Sequence, residues 1–138
     1  MTEKTLEAIL ERANMLEAWK QVEKNKGSSG IDKRSISETK EHLRSNWPQI
    51  KTKILEGSYI PSPIKGVDIP KPNGKTRRLG IPTVQDRVIQ QGISQNLGSK
   101  AEKVFSNGSY GYRPGRSAHD ALKAAQAYVK AGKIWVIE

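Results

Sequence analysis

The chain has 138 residues, of which 35% are hydrophobic and 6% aromatic, so it has about the length of one domain with a modest core. Its 24 Lys and Arg exceed 14 Asp and Glu, and the net charge of +10 indicates an anionic partner, either nucleic acid or a membrane surface. The lack of cysteine excludes disulfides and thiolate zinc sites, and no apolar run approaches the roughly 20 residues of a membrane span.

The first predicted element is an amphipathic helix from Thr5 to Lys24, because apolar residues recur at helical spacing between charged ones. The segment NKGSSGID follows, and its two glycines and two serines predict a flexible loop in which Lys26 is available to an anion. A plain linker is the alternative interpretation.

The next predicted elements are two short helices that meet near Pro48. Ser35 and Glu38 have the spacing of a capping box, and proline suits the first turn of a helix. Gly57 is expected to end the second helix.

A β-hairpin is predicted over residues 64–81, where apolar and polar residues alternate on both sides of the turn Pro72-Asn73-Gly74. Four cations lie near its tip: Lys71, Lys75, Arg77 and Arg78. Arginine forks suit phosphate oxygens, which favours a phosphate ligand. Since side chains alternate along a strand, at most one of the two arginines can join Lys71 over a shared pocket. The alternative is a solvated edge whose lysines discourage aggregation.

Two more helices are predicted towards the end of the chain. One covers residues 83–105 and is capped by Thr83 with Asp86, and the other covers residues 117–131 and is capped by Ser117 with Asp120. Asp120 is therefore interpreted as a cap and not as a catalytic group.

The loop NGSYGYRPGR, between those helices, interleaves aromatic and guanidinium groups, a composition that can stack on bases and bind phosphates. Tyr112, Arg113 and Arg116 are the candidate residues. Two other roles stay open: the tyrosine rings can pin the loop to the core, and Arg113 can pair with a nearby Asp or Glu. The chain then ends in the apolar run Ile134 to Ile137, which predicts a buried strand.

Three motifs occur in a fixed order: NKGSSGID, IPKPNGKTRRLGIPTVQDRVIQQ and YGYRPGRSAHDAL. In this series they resemble the N-terminal part of bacterial group II intron-encoded reverse transcriptases. The resemblance implies an α+β fold: a mostly helical fingers region with a β-hairpin, and a terminal strand that enters the palm of a right-hand polymerase. It also implies an enzyme that copies RNA into DNA and acts as a maturase on its own intron RNA.

The resemblance implies a division of the chain into an N-terminal helix and template-lid loop (1–34), fingers (35–131) and the start of the first palm strand (132–138). By the same resemblance, Lys71 and Arg77 match the residues that hold the triphosphate of the incoming nucleotide. Further residues are expected to contact nucleic acid: Lys26, Lys75, Arg78, Arg87, Tyr112, Arg113 and Arg116. For Arg87, packing of its helix against the palm is an equal alternative.

No catalytic or metal-binding residue is predicted in this chain. Nucleotidyl transfer needs carboxylates that hold Mg²⁺, but the four aspartates are spread over turns, the hairpin and caps, and no Tyr-x-Asp-Asp occurs. Mg²⁺ is expected in the full-length enzyme and not on this fragment, which we expect to be inactive alone. The first metal-binding aspartate of the family is expected just after Glu138.

The expected partners are template RNA, intron RNA, a DNA primer and a deoxynucleoside triphosphate, in the cytoplasm and without a membrane. The alternative function is a stand-alone RNA-binding module of the maturase type without polymerase activity. A homodimer through the palm edge, where Trp135 and Ile137 would be uncovered, is a third expectation.

Overall fold

The computed structural model of the chain describes residues 3–133 and 135, and the side chains from Thr5 onward. Its elements in chain order are α1 (Glu3–Ile9), α2 (Arg12–Lys24), α3 (Ile36–Leu55), β1 (Lys65–Pro70), β2 (Thr76–Ile81), α4 (Val84–Ala101) and α5 (Ala118–Lys130). The predicted α+β class is confirmed. Contacts divide the chain into two units, one up to Leu97 and one from Gly98 onward.

The predicted helix from Thr5 to Lys24 is wrong at its centre, because the chain leaves helical geometry at Glu11 (φ −62°, ψ 141°). The Asn14 side chain stabilises this break by donating from Nδ2 to the carbonyl of Ile9 at 2.7 Å. The break also changes the phase of the apolar stripe. Met15 is buried in α2, whereas Leu16 is half exposed.

The core of the first unit lies where α1, α2 and α4 meet, with α3 packed beside them. Its buried residues are Ile9, Leu10, Met15, Ala18, Val22, Val84 and Val88. Gly92 allows the close approach of α2 and α4, because a Cβ at this position would come within 2.7 Å of the Met15 sulfur. The core therefore fixes α4, whose N-terminal turn follows the hairpin directly.

Helix α3 continues through Pro48, so the prediction of two short helices is wrong. Trp47 and Ile54 pack against the core and Ile50 is buried, and this packing outweighs the backbone hydrogen bond that proline removes. The capping box of Ser35 and Glu38 is confirmed at the start of α3. Gly57 (φ +73°) ends the helix as predicted.

The hairpin is the only sheet among the described residues, and β1 pairs with β2 in antiparallel register. The predicted hairpin over residues 64–81 is confirmed, except that β1 begins one residue later, at Lys65. Apart from Val67 and Ile81, which are half-buried, the strand residues are exposed.

In the second unit, α5 begins at the predicted capping box of Ser117 and Asp120. Helix α4 ends at Ala101 and not at Phe105, and the residues between them form turns. None of the residues of α5 is buried. The predicted strand from Ile134 to Ile137 lies outside the described residues except for Trp135, which is 92% exposed.

No helix within the described residues is long and apolar enough to cross a membrane.

Candidate nucleic-acid interface

The tip of the hairpin is a three-residue loop formed by Pro72, Asn73 and Gly74. The backbone N–H of Lys71 donates to the carbonyl of Lys75 at 2.7 Å, and the N–H of Gly74 donates to the carbonyl of Lys71 at 3.1 Å. Gly74 has a φ of +75°, which glycine adopts without strain. This is a turn closed by a left-handed glycine, as is common in three-residue hairpin loops, and it confirms the predicted turn.

The register of the strands decides which arginine shares a face with Lys71. Arg77 is opposite Ile69 and Arg78 is opposite Asp68. Because alternate residues point to the same face, Lys71 lies on the face of Ile69 and Arg77, and Lys75 is in phase with Arg77. Arg78 lies on the opposite face.

The hairpin cations are all exposed, and none has an ion-pair partner among the residues that the structure describes. Arg78 extends along its own face, where a Cβ at Gly66 would come within 3.0 Å of its Nε and Nη2 atoms. The Arg77 face also carries apolar groups, with Ile69 43% and Leu79 38% exposed. A ligand on this face would therefore meet both positive charge and apolar surface.

The NKGSSGID loop is docked on the start of α4, which corrects the prediction that it is flexible. A Cβ at Gly30 would lie 2.6 Å from the Cα of Thr83, so the two backbones touch. The Arg87 guanidinium donates from Nη2 to the carbonyl of Ser28 and lies directly against Gly27. The glycines are needed here for close approach.

Arg87 therefore ties a loop to α4, a contact that was not predicted. Packing of its helix against the palm and its contact with nucleic acid stay predictions. Lys26 lies at the start of the same loop, is exposed and has a φ of +48°. Non-glycine residues rarely adopt this conformation, which here turns the chain from α2 into the loop.

In the second unit, Arg113 lies inside the 106–117 loop and not on its surface, with 9% of its area exposed. Its Nε and Nη2 atoms donate to the Glu102 carboxylate at 2.6 to 3.1 Å, and Nη1 donates to the carbonyls of Ser106 and Ser109. The hydrogen bonds from Arg113 lower the pKa of Glu102 below its usual value. Pairing with a nearby acid was the alternative role for Arg113, and a guanidinium held in this way is not available to a phosphate.

The two remaining candidates of that loop differ in exposure. Arg116 donates to the carbonyl of Asn107 and lies over the Tyr110 ring, 5.3 Å from its centroid, so it helps to fix the loop. Tyr112 is fully exposed and has a φ of +57°. The loop thus holds itself together through its arginines and presents one aromatic ring to solvent.

Sequence reasoning missed most of the contacts of Asp86. The cap with Thr83 was predicted and is confirmed, since the Thr83 hydroxyl accepts from the Asp86 N–H at 3.2 Å. The carboxylate also accepts from the hydroxyl of Tyr59 at 2.6 Å and from the N–H of Ser62 at 3.1 Å. Tyr59 and Ser62 lie more than twenty residues away, so no local spacing could have indicated these contacts.

Burial raises the pKa of Tyr59 to about 12, and its hydrogen bond to Asp86 adds to the effect. The phenol stays protonated and serves as a donor. Among the described residues, His, Asp and Glu side chains do not gather into any group of three that could hold a metal ion.

Three known proteins are similar to this chain in sequence. Protein YkfC of Escherichia coli K12 is 39% identical over 93 residues, which are 64% of this chain and 24% of that protein. The group II intron-encoded protein LtrA of Lactococcus lactis subsp. cremoris is 41% identical over 86 residues, which are 62% of this chain and 14% of that protein. The chain is a relative of the group II intron-encoded proteins.

A third similar protein is an uncharacterized 91 kDa protein in the cob intron of Schizosaccharomyces pombe, 32% identical over 75 residues. The chain matches only a quarter or less of the length of each of these relatives. No protein-family model matches the chain. The similarity to group II intron-encoded proteins therefore rests on these relatives and on the three motifs.

Proposed function

We propose that the chain is the fingers region of an intron-encoded reverse transcriptase, which binds template RNA and the triphosphate of the incoming nucleotide. The observation that carries this proposal is the common face of Lys71 and Arg77, which are exposed and without ion-pair partners in the described part of the chain. A lysine supplies a compact charge and an arginine a planar fork, and both suit phosphate oxygens.

The relatives support RNA as the macromolecular partner, because two of the names refer to introns. The net charge of +10 is consistent with a polyanion. We propose that intron RNA and template RNA are bound mainly through phosphate contacts, and that Tyr112 adds a stacking contact with an unpaired base.

The catalytic step is not assigned to residues of this chain. Polymerases hold Mg²⁺ with clustered carboxylates, and Mg²⁺ supplies Lewis-acid activation of the primer hydroxyl and the leaving phosphate when it is bound. The aspartates described here do not fit this role. Asp86 is buried and hydrogen-bonded, and Asp120 caps α5. Asp68 lies opposite Arg78, and Asp32 accepts from the backbone N–H of Arg34.

The exposed common face of Lys71 and Arg77 also favours a second candidate function. This is an RNA-binding module of the maturase type that works without polymerisation. Both candidates bind RNA, but only the fingers function requires a preference for triphosphate at the hairpin. Self-association near residues 132–138 stays a prediction, which light scattering over a range of concentrations tests.

A titration of labelled intron RNA at several salt concentrations tests the common part of both functions. We expect log K to fall linearly with log salt, by about 0.7 for each phosphate contact with a single strand. A salt-independent affinity would contradict the proposal. Binding of a deoxynucleoside triphosphate, measured by calorimetry, then separates the candidates, since only the fingers function predicts it.

A further inference from the structure

Both ends of the hairpin are bonded to the same carboxylate. Ser62, three residues before β1, donates its backbone N–H to Oδ2 of Asp86 at 3.1 Å. Thr83, two residues after β2, donates its hydroxyl to the same oxygen at 2.6 Å. Asp86 therefore joins the chain that enters the hairpin to the chain that leaves it.

The other oxygen of the Asp86 carboxylate is also in use. Oδ1 accepts from the Tyr59 hydroxyl at 2.6 Å, and that hydroxyl accepts from Nε2 of Gln85 at 3.0 Å. Asp86 is 3% exposed, so water competes little for these bonds. Buried hydrogen bonds to a charged acceptor are among the stronger ones in proteins.

The hairpin has little else to fix its direction. Its strand residues are exposed except for the half-buried Val67 and Ile81. A two-stranded hairpin without packing is marginally stable in water. Its orientation on the helical body must therefore be set at its base, where Asp86 belongs to α4 and α4 belongs to the core.

We propose that Asp86 is a positioning residue for Lys71 and Arg77. Its carboxylate closes the base of the hairpin and fixes the direction in which the cationic face points. The proposal rests on the proposed function for the identity of the ligand, but its structural part does not. A helix cap alone would need only the bond between Thr83 and the Asp86 N–H.

The test uses amide hydrogen exchange of residues 65–81 together with calorimetric binding of a deoxynucleoside triphosphate. Asp86→Ala removes both carboxylate oxygens, so the Ser62 N–H and the Thr83 hydroxyl lose their common acceptor. We expect exchange in the hairpin to rise about tenfold or more, while the core amides of α2 keep their protection. Triphosphate binding should weaken by a similar factor.

Thr83→Val and Thr83→Ser form a second, matched pair in case Asp86→Ala does not fold. Valine removes the hydroxyl and should loosen the hairpin, whereas serine keeps the hydroxyl and should retain wild-type exchange. Tyr59→Phe leaves both ends of the hairpin attached and should have a smaller effect than Asp86→Ala.

Unchanged hairpin exchange in Asp86→Ala and Thr83→Val would overturn the proposal. An equal rise in the hairpin and in the α2 core would overturn it as well, because it would show a role in global stability only. If the wild-type protein binds no triphosphate, the proposed function fails, and the exchange data still decide whether Asp86 fixes the hairpin.

Discussion

Arg77 and Arg78 are neighbours in sequence but lie on opposite faces of the hairpin, since Arg77 pairs with Ile69 and Arg78 with Asp68. Only Arg77 shares its face with Lys71. The two arginines therefore have the same charge, the same strand and similar exposure, but different surroundings, and each serves as a control for the other.

We expect Arg77→Gln to weaken triphosphate binding by more than Arg78→Gln, because only Arg77 can reach a phosphate that Lys71 also contacts. The difference should be about tenfold, as expected for one charge-assisted hydrogen bond of roughly 1.5 kcal/mol. Calorimetric titration of both variants with the same nucleotide measures it. Equal losses would indicate a general cationic tip.

Arg77→Gln and Arg78→Gln should each reduce the slope of log K for RNA binding against log salt concentration. The reduction should be no more than about 0.7, the value for one phosphate contact with a single strand. Titrations at several salt concentrations measure the slope. A loss of affinity that is the same at every salt concentration would argue against phosphate contacts for either residue.

Tyr112→Ala should weaken the binding of single-stranded RNA by about 1 to 3 kcal/mol if the exposed ring stacks on a base. Tyr112→Phe keeps the aromatic face and should bind nearly as the wild type does. Because the ring is fully exposed, neither change should lower thermal stability appreciably. Fluorescence anisotropy with a short RNA measures the effect, and equal affinity of the alanine variant would exclude stacking.

Arg113→Met should open the 106–117 loop, because the Glu102 carboxylate and the carbonyls of Ser106 and Ser109 lose their donor. Faster cleavage of this loop in limited proteolysis measures the change. A lysine at this position keeps the charge but not the fork, so Arg113→Lys should fall between methionine and the wild type. Wild-type cleavage rates for the methionine variant would contradict the assigned role.

The ion pair of Arg113 with Glu102 should also depend on pH. Because the pKa of Glu102 is lowered in the folded loop, the ion pair stabilises the loop fully at pH values above the usual carboxyl pKa. This contribution is lost as the pH falls through the lowered pKa. Cleavage by an acid-tolerant protease should therefore accelerate at low pH in the wild type more than in Arg113→Met.

Tyr59 should contribute to stability at neutral pH and lose that contribution in alkali. Its pKa is raised from 10.0 to about 12, so the folded state favours the protonated phenol. The resulting contribution to the free energy of unfolding is complete below pH 10 and disappears as the pH approaches 12. Tyr59→Phe should thus be less stable than the wild type at pH 7, and the difference in the free energy of unfolding should shrink between pH 10 and 12. A difference independent of pH would contradict this assignment.

Gly30→Ala should destabilise the first unit by about 1 to 3 kcal/mol, because its Cβ would overlap the backbone at Thr83. Gly98→Ala, in α4, meets nothing within 4 Å and should be stabilising by about 0.5 to 1 kcal/mol through helix propensity. Denaturant unfolding of both variants measures these opposite effects. A neutral Gly30→Ala would show that the NKGSSGID loop is not held against α4.

The features that follow from local chemistry could be predicted from the sequence. The two capping boxes, the turn at Gly74 and the exposed hairpin tip depend on residues close together in the chain, and the structure confirms them. The break at Glu11 and the continuous helix through Pro48 could not be predicted in this way, because contacts distant in sequence accompany both. Asn14 donates to the carbonyl of Gly92 in α4 as well as to Ile9, and Trp47 and Ile54 pack against the core.

The candidate site also has features that could be predicted from the sequence and features that could not. Alternation along β2 predicted that at most one arginine could join Lys71, and the resemblance indicated Arg77. The strand register places Arg77 on the face of Lys71. Composition predicted a basic, aromatic loop around Tyr112, but could not show that Arg113 points inward to Glu102. The fingers role and the triphosphate contacts stay predictions.

The turn formed by Pro72, Asn73 and Gly74 makes the length of the hairpin tip as important as its charge. A single residue inserted into this turn would either form a bulge or shift the pairing by one position, and a shift would turn Arg77 away from Lys71. Variants with longer tips should thus keep their overall electropositive character while losing selectivity between nucleotides with one, two and three phosphates. In a search for distant relatives, conservation of spacing between the lysine and the arginine would be more informative than conservation of basic character.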